Sequence, residues 1–154
     1  MLPATVSRVE NATSAELNRR IAAEITQSVR HHAEHPEEID RRLRDLDREW
    51  DVERTLETNA ATLALTGTLL GAFADRRFLL LPAAVAGFLL QHALQGWCPP
   101  IPVLRRLGIR SAAEIQRERT ALKALRGDFE GLGHSAPDEA PARRARRAIE
   151  AADA

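Results

Sequence analysis

The sequence contains a single cysteine, a single methionine and no tyrosine. One thiol, Cys98, excludes a disulfide framework within the chain. Aromatic residues make up only 4% of the chain, a thin supply for a globular core. Net charge is missing too, since 22 basic residues balance 22 acidic ones. No global basic field draws nucleic acid, and no acidic excess marks a solvating tail. The N-terminus has no basic region followed by an apolar run, so no secretory signal is expected. Glycine is absent before position 67, and no internal repeat or complete catalytic constellation can be read.

What is present is a partition. The mean hydropathy of −0.31 hides it. Residues 60–98 hold three formal charges, Asp75, Arg76 and Arg77, while both flanks are dense in Arg, Asp and Glu.

Residues 1–13 read as a disordered leader. Thr13 and Glu16 have capping-box spacing, and Leu17, Ile21, Ile25 and Val29 recur every four residues, which predicts a helix over 14–34. Pro36 ends it and opens a second helix, with Glu37 and Glu38 at its positive end. Ile39, Leu43, Leu46 and Trp50 form a seam on that helix. It suits a coiled coil or an interfacial helix anchored by Trp50. With no proline or glycine to stop it, the helix is expected to continue into the apolar segment, bending at Thr58-Asn59.

Two apolar stretches follow, at 58–74 and 78–97. In the second, eight Phe, Leu and Val residues contribute about −2.4 to −4.8 kcal/mol to insertion at the bilayer centre. The first reaches only about −1.5 to −3 kcal/mol, marginal alone and sufficient as half of a hairpin. The turn at Asp75-Arg76-Arg77 permits only antiparallel helices. Positive residues cluster before the first stretch (Arg41, Arg42, Arg44, Arg48, Arg54) and after the second (Arg105, Arg106, Arg110, Arg117), so both termini are expected in the cytoplasm. Pro99-Pro100 ends the second span. Gly108 stops a short turn, and Ser111 with Glu114 opens a last helix to Arg126. Residues 127–154 read as a mobile tail with a frayed helix near 140–152.

The stretch Gly96-Trp97-Cys98-Pro99, continuing to Leu107-Gly108-Ile109, resembles the YgaP-like transmembrane domain family. That likeness covers residues 51–111 and includes the Arg-bearing Asp51-Val52-Glu53-Arg54. It implies a two-helix membrane hairpin and a loose association with sulfur chemistry, because some members are fused to a rhodanese domain. No rhodanese domain and no second cysteine are present here.

The fold class expected is therefore all-α: a two-pass transmembrane hairpin (58–98) between amphipathic helices at 14–57 and 99–126. Gly67 and Gly71 form a small-xxx-small motif mirrored by Ala83 and Gly87, suited to packing the hairpin or a homodimer. Gln91 and Gln95 lie on the same line, with His92 beside them, as hydrogen-bonding glue. Trp50, Trp97, Arg76, Arg77, Arg105 and Arg106 read as interfacial anchors. The remaining Arg-rich flanks read as solvated faces. Cys98 is a packing residue or a thiol carrier, its place at a helix C-terminus disfavouring a thiolate. His31, His32 and His35 share a helix end that favours histidine for its dipole, and no metal or cofactor is expected. The function implied is a non-enzymatic anchor or assembly module of the bacterial inner membrane, with the lipid bilayer and a second copy or another protein as partners. Alternatives are an accessory in sulfur transfer through Cys98, and a soluble helical bundle with 60–97 as its core.

Overall fold

The computed structural model describes residues 8–130 and 141–153, and every regular element among them is helical. In chain order these are α1 (Arg8–Asn11), α2 (Ala15–Glu34), α3 (Ile39–Arg48), α4 (Val52–Phe73), α5 (Leu80–Gln95), α6 (Ile101–Arg106), α7 (Ala112–Arg126) and α8 (Pro141–Asp153). Pro36–Glu38 and Arg76–Leu79 form 3-10 turns. Residues 8–25 and 49–115 make one compact unit; 26–48 with 116–130 and 141–153 make a second.

In the first unit, α1 replaces part of the expected leader, and Val9 is buried. Residues 1–7 of that leader lie outside the described residues. The cap of α2 is displaced by one residue from the expected box. Ser14 Oγ accepts from Leu17 N at 3.4 Å, while Thr13 Oγ1 donates to the Val9 carbonyl. Ile21 and Ile25 of the four-residue stripe are buried, as an amphipathic helix requires.

The expected continuous helix from 37 into the apolar segment is broken at residues 49–51. The cause is polar. Asp51 is extended (φ −80°, ψ 173°) and accepts from Arg54 N at 2.7 Å, an N-cap that starts α4 afresh. Val52 N donates to the Arg110 carbonyl at 2.9 Å, and Glu49 binds the Arg110 guanidinium at 2.6 and 2.5 Å. Those bonds divert the backbone where the sequence offers neither proline nor glycine.

Helix α4 then runs without a break through Thr58-Asn59 for 22 residues, about 33 Å at 1.5 Å per residue. Its polar side chains bond back into their own helix. Asn59 Nδ2 donates to the Thr55 carbonyl, and Thr62, Thr66 and Thr68 hydroxyls donate to carbonyls four residues earlier at 2.7–2.8 Å. Helix α4 packs antiparallel on α5. A Cβ at Gly67 would stand 2.6 Å from Pro82 Cδ, and one at Gly71 2.5 Å from Leu79 Cδ2.

Helix α5 ends at Gly96 in the left-handed region (φ 73°), with Arg8 Cβ 2.7 Å from where a side chain would begin. Gly108 (φ 84°) closes α6 the same way. The two glycines of Gly96-x-Cys98-Pro99 and Leu107-Gly108-Ile109 therefore share one physical role: each reverses the chain at a helix end.

Among the described residues one helix, spanning Arg76–Gln95, is long and apolar enough to cross a membrane, and only 6% of its most apolar stretch is buried. Large apolar side chains stand exposed on both members of the pair, among them Leu65 (62%), Phe73 (86%), Leu80 (74%) and Leu90 (62%). Within the single chain these side chains are not enclosed.

In the second unit, Ile39, Leu43 and Leu46 of the expected seam are buried, whereas Trp50, in the first unit, is exposed. Glu118 is sealed from solvent, binding Arg42 Nε and Nη2 at 2.8 and 3.0 Å and accepting from Ser28 Oγ at 2.6 Å. Arg119 pairs with Asp47. Arg126 binds Asp128 and Asp40 at 2.6 and 2.7 Å; those contacts push its own pKa up, and its guanidinium holds the Asp128 carboxyl below the usual range. The arginine flanks, expected as solvated faces, are in these places ion-paired packing elements. Within the expected tail, Pro141–Asp153 is helical, and 131–140 lies outside the described residues.

Candidate functional site

The buried polar chemistry of the first unit gathers at the base of the α4–α5 pair, the end away from the Arg76–Leu79 turn. Glu53 lies in the first turn of α4 and His92 in the last turn of α5, so antiparallel helices bring them level. His92 is 5% exposed, and its Nε2 donates to Glu53 Oε2 at 3.1 Å. Glu53 Oε1 in turn accepts from Arg8 at 2.9 Å. His92 Nδ1 is enclosed with no hydrogen-bond partner.

Arg105 centres the second cluster. It is 1% exposed, and every guanidinium N–H has an acceptor. Nη1 donates to Glu114 Oε2 (2.6 Å) and the Ile109 carbonyl (3.2 Å), Nη2 to Glu114 Oε1 (2.7 Å) and Asn18 Oδ1 (3.2 Å), and Nε to Thr13 Oγ1 (3.1 Å). Glu114 also accepts from Ser111 N at 2.7 Å, completing the capping box expected from the sequence. A guanidinium with all five donors used has none left for an anion. This cluster holds the fold.

Burial works against the Glu114 charge, but Arg105 and the Ser111 donors outweigh it and hold the carboxyl below its ordinary range. The unfolded chain therefore takes up a proton at higher pH than the folded chain does. The stability contributed by Glu114 is present above its unfolded pKa of about 4.3 and is lost as pH falls through the lower folded value. Thermal melts between pH 7 and pH 3 are expected to show that loss on the acid side, with a shallower slope in Glu114→Gln. Equal slopes would place the acid sensitivity in other carboxylates.

Cys98 is 3% exposed, packed among Val9, Val52, Leu56, Ile101 and Leu104, and burial pushes its thiol pKa up. A carrier thiol works as an accessible thiolate. Both features weigh toward packing.

The other sequence-selected residues divide by position. Gly67 and Gly71 are buried against the segment Leu79–Pro82, whereas Ala83 and Gly87 face outward and nothing lies within 4 Å of a Cβ built on Gly87. The two small-residue motifs do not meet. Gln91 is half-buried and Gln95 exposed. Arg76, Arg77 and Arg106 are exposed, unlike Arg105. Trp50 and Trp97 flank the pair at its base, 46% and 44% exposed, and the Arg54 guanidinium lies 4.5 Å from the Trp50 ring. His31 and His35 stack at 4.4 Å, His31 binds Glu38, and His32 donates to the Ser28 carbonyl. Among the described residues no three His, Cys, Asp or Glu side chains converge as a metal site.

Sequence reasoning missed Glu53 and Arg8. Glu53 lies 22 residues before Asp75 and His92 17 after it, so counting outward from the turn does not pair them. No family model matches this chain, nor does any curated protein or solved structure.

Proposed function

We propose that this protein is a non-enzymatic, two-pass anchor or assembly module of the bacterial inner membrane. Helices α4 and α5 form its hairpin, and both termini lie in the cytoplasm. The observation that carries the reading is the belt of exposed Leu and Phe side chains around α4 and α5. Water penalises such a patch, and hydrocarbon does not. A soluble bundle would enclose those residues.

Three further features support it. The Thr62, Thr66 and Thr68 hydroxyls are satisfied within α4, so that helix needs no water for them despite its lower hydropathy. Trp50 and Trp97 mark one boundary of the belt, and Arg76 and Arg77 mark the other. Buried His92 and Arg105, with half-buried Glu53, lie at the base of the pair. Self-association, where it occurs, uses the open Ala83–Gly87 face, because the α4 glycines are already occupied.

The test uses single cysteines in a Cys98→Ala background. Ala74→Cys at the turn is expected to react with a membrane-impermeant maleimide only in right-side-out preparations. Ala112→Cys is expected to react only in inside-out vesicles. The protein should stay with the membrane in alkaline carbonate. Carbonate release, or labelling of both positions from one side, would overturn the two-pass reading.

A further inference from the structure

Between the base of the α4–α5 pair and the segment that follows lies an apolar cleft of about 420 Å³, within the range of small-molecule pockets. It exists because Gly96 and Pro99-Pro100 turn the chain sharply off α5. Helix α6 then returns beside α4 and leaves a wedge. Ala60 and Leu63 of α4, Val85 and Phe88 of α5, and Pro100 and Leu104 beyond form its walls. No charged side chain lines it. Asn59 does, but its amide donates to the Thr55 carbonyl at 2.8 Å. Cys98, also lining it, carries a neutral thiol. Water needs two to four polar partners to settle in a cavity, and this one offers almost none. The rim belongs to the exposed belt, Leu63 and Phe88 being 49% and 48% exposed. The cleft thus opens into whatever medium the belt faces.

We infer that this cleft is a binding site for one hydrocarbon chain of a membrane lipid, which enters sideways from the bilayer and lies against Ala60, Val85 and Pro100. The inference rests on the membrane reading above. It distinguishes this lipid from its neighbours: chains around Leu65, Phe73 and Leu80 touch a convex surface, whereas a chain in the cleft meets both helices and the proline segment at once.

The experiment reconstitutes the full chain in vesicles of phosphatidylethanolamine and phosphatidylglycerol, doped with phosphatidylethanolamine carrying a diazirine on one acyl chain. After photolysis, adducts are mapped by mass spectrometry. Adducts are expected to concentrate on Leu63, Phe88 and Leu104 over Leu65, Phe73 and Leu80. Val85→Trp, filling the cleft, should lower the cleft adducts about tenfold, equivalent to ~1.4 kcal/mol, and leave the belt adducts unchanged. Leu89→Trp, also at the cleft wall, serves if Val85→Trp loses helicity, and Leu80→Trp on the outer belt should change nothing in the cleft. Adducts spread evenly around the belt, or cleft adducts insensitive to both filling variants, would overturn the inference. So would crosslinks joining the cleft residues of two copies, which would make a second chain the occupant. Release in carbonate with no adducts anywhere would instead overturn the membrane reading itself.

Discussion

Arg105→Ala is expected to lower the stability of the folded chain by about 3–5 kcal/mol, the usual cost of leaving a buried charge without its partner. Few domains have more than 5–15 kcal/mol in total. The size follows from the geometry. The replacement strips Glu114 of both its guanidinium bonds and leaves a carboxylate 2% exposed. It also removes the donors to Thr13, Asn18 and the Ile109 carbonyl, which tie the α1–α2 corner to the α6–α7 corner. Thermal or chemical unfolding followed by helical circular dichroism in mild detergent reads the loss. Replacing both partners, Arg105→Met with Glu114→Met, should recover much of it, since a well-packed apolar pair avoids the desolvation of two ions. A double variant as unstable as the single would show that the bonds to Thr13, Asn18 and Ile109 carry the effect.

Gly71→Leu is expected to open the α4–α5 pair, at a cost of about 3 kcal/mol or more for overpacking. A Cβ there meets Leu79 Cδ2 at 2.5 Å and, less forgivingly, Leu79 N of the backbone at 3.2 Å. A flexible side chain can step aside; a backbone nitrogen at a turn cannot. Limited proteolysis at 74–79 and the melting temperature report the opening. Gly87→Leu is the contrasting variant. Nothing stands within 4 Å of its Cβ position, so stability should hold while any crosslinked dimer weakens. A stable Gly71→Leu protein with reduced crosslinking would reassign the α4 glycines to an interface between chains.

Much of the helical layout was legible because it rests on local signals. The four-residue stripe at Leu17–Val29 and the Ser111–Glu114 box set helix positions to within a residue. The break at 49–51 is not legible, because the sequence there offers no proline or glycine to end a helix. What diverts the chain there is Arg110, some sixty residues away. The roles of the arginines were hidden for the same reason. Arg105 and Arg106 are adjacent and chemically identical in sequence, yet one is enclosed with five partners and the other is exposed. Arg105 points among Thr13, Asn18, Glu114 and the Ile109 carbonyl, while Arg106 points about 100° further round α6. Small-residue spacing likewise marked Gly67, Gly71, Ala83 and Gly87 without showing that the pairs point different ways.

The span of the Arg105 and Glu118 bonds has a consequence for how the chain is made. Thr13 and Asn18 meet Arg105 across 92 and 87 residues, and Ser28 meets Glu118 across 90. At a synthesis rate of about 5–20 residues per second, helix α2 waits roughly 5–20 s for its partners to leave the ribosome. Helices form in about a microsecond. The first long helix to form is thus among the last to be covered, and through that interval its Ile21 and Ile25 face is open to whatever is nearest, whether chaperone, nascent neighbour or membrane surface.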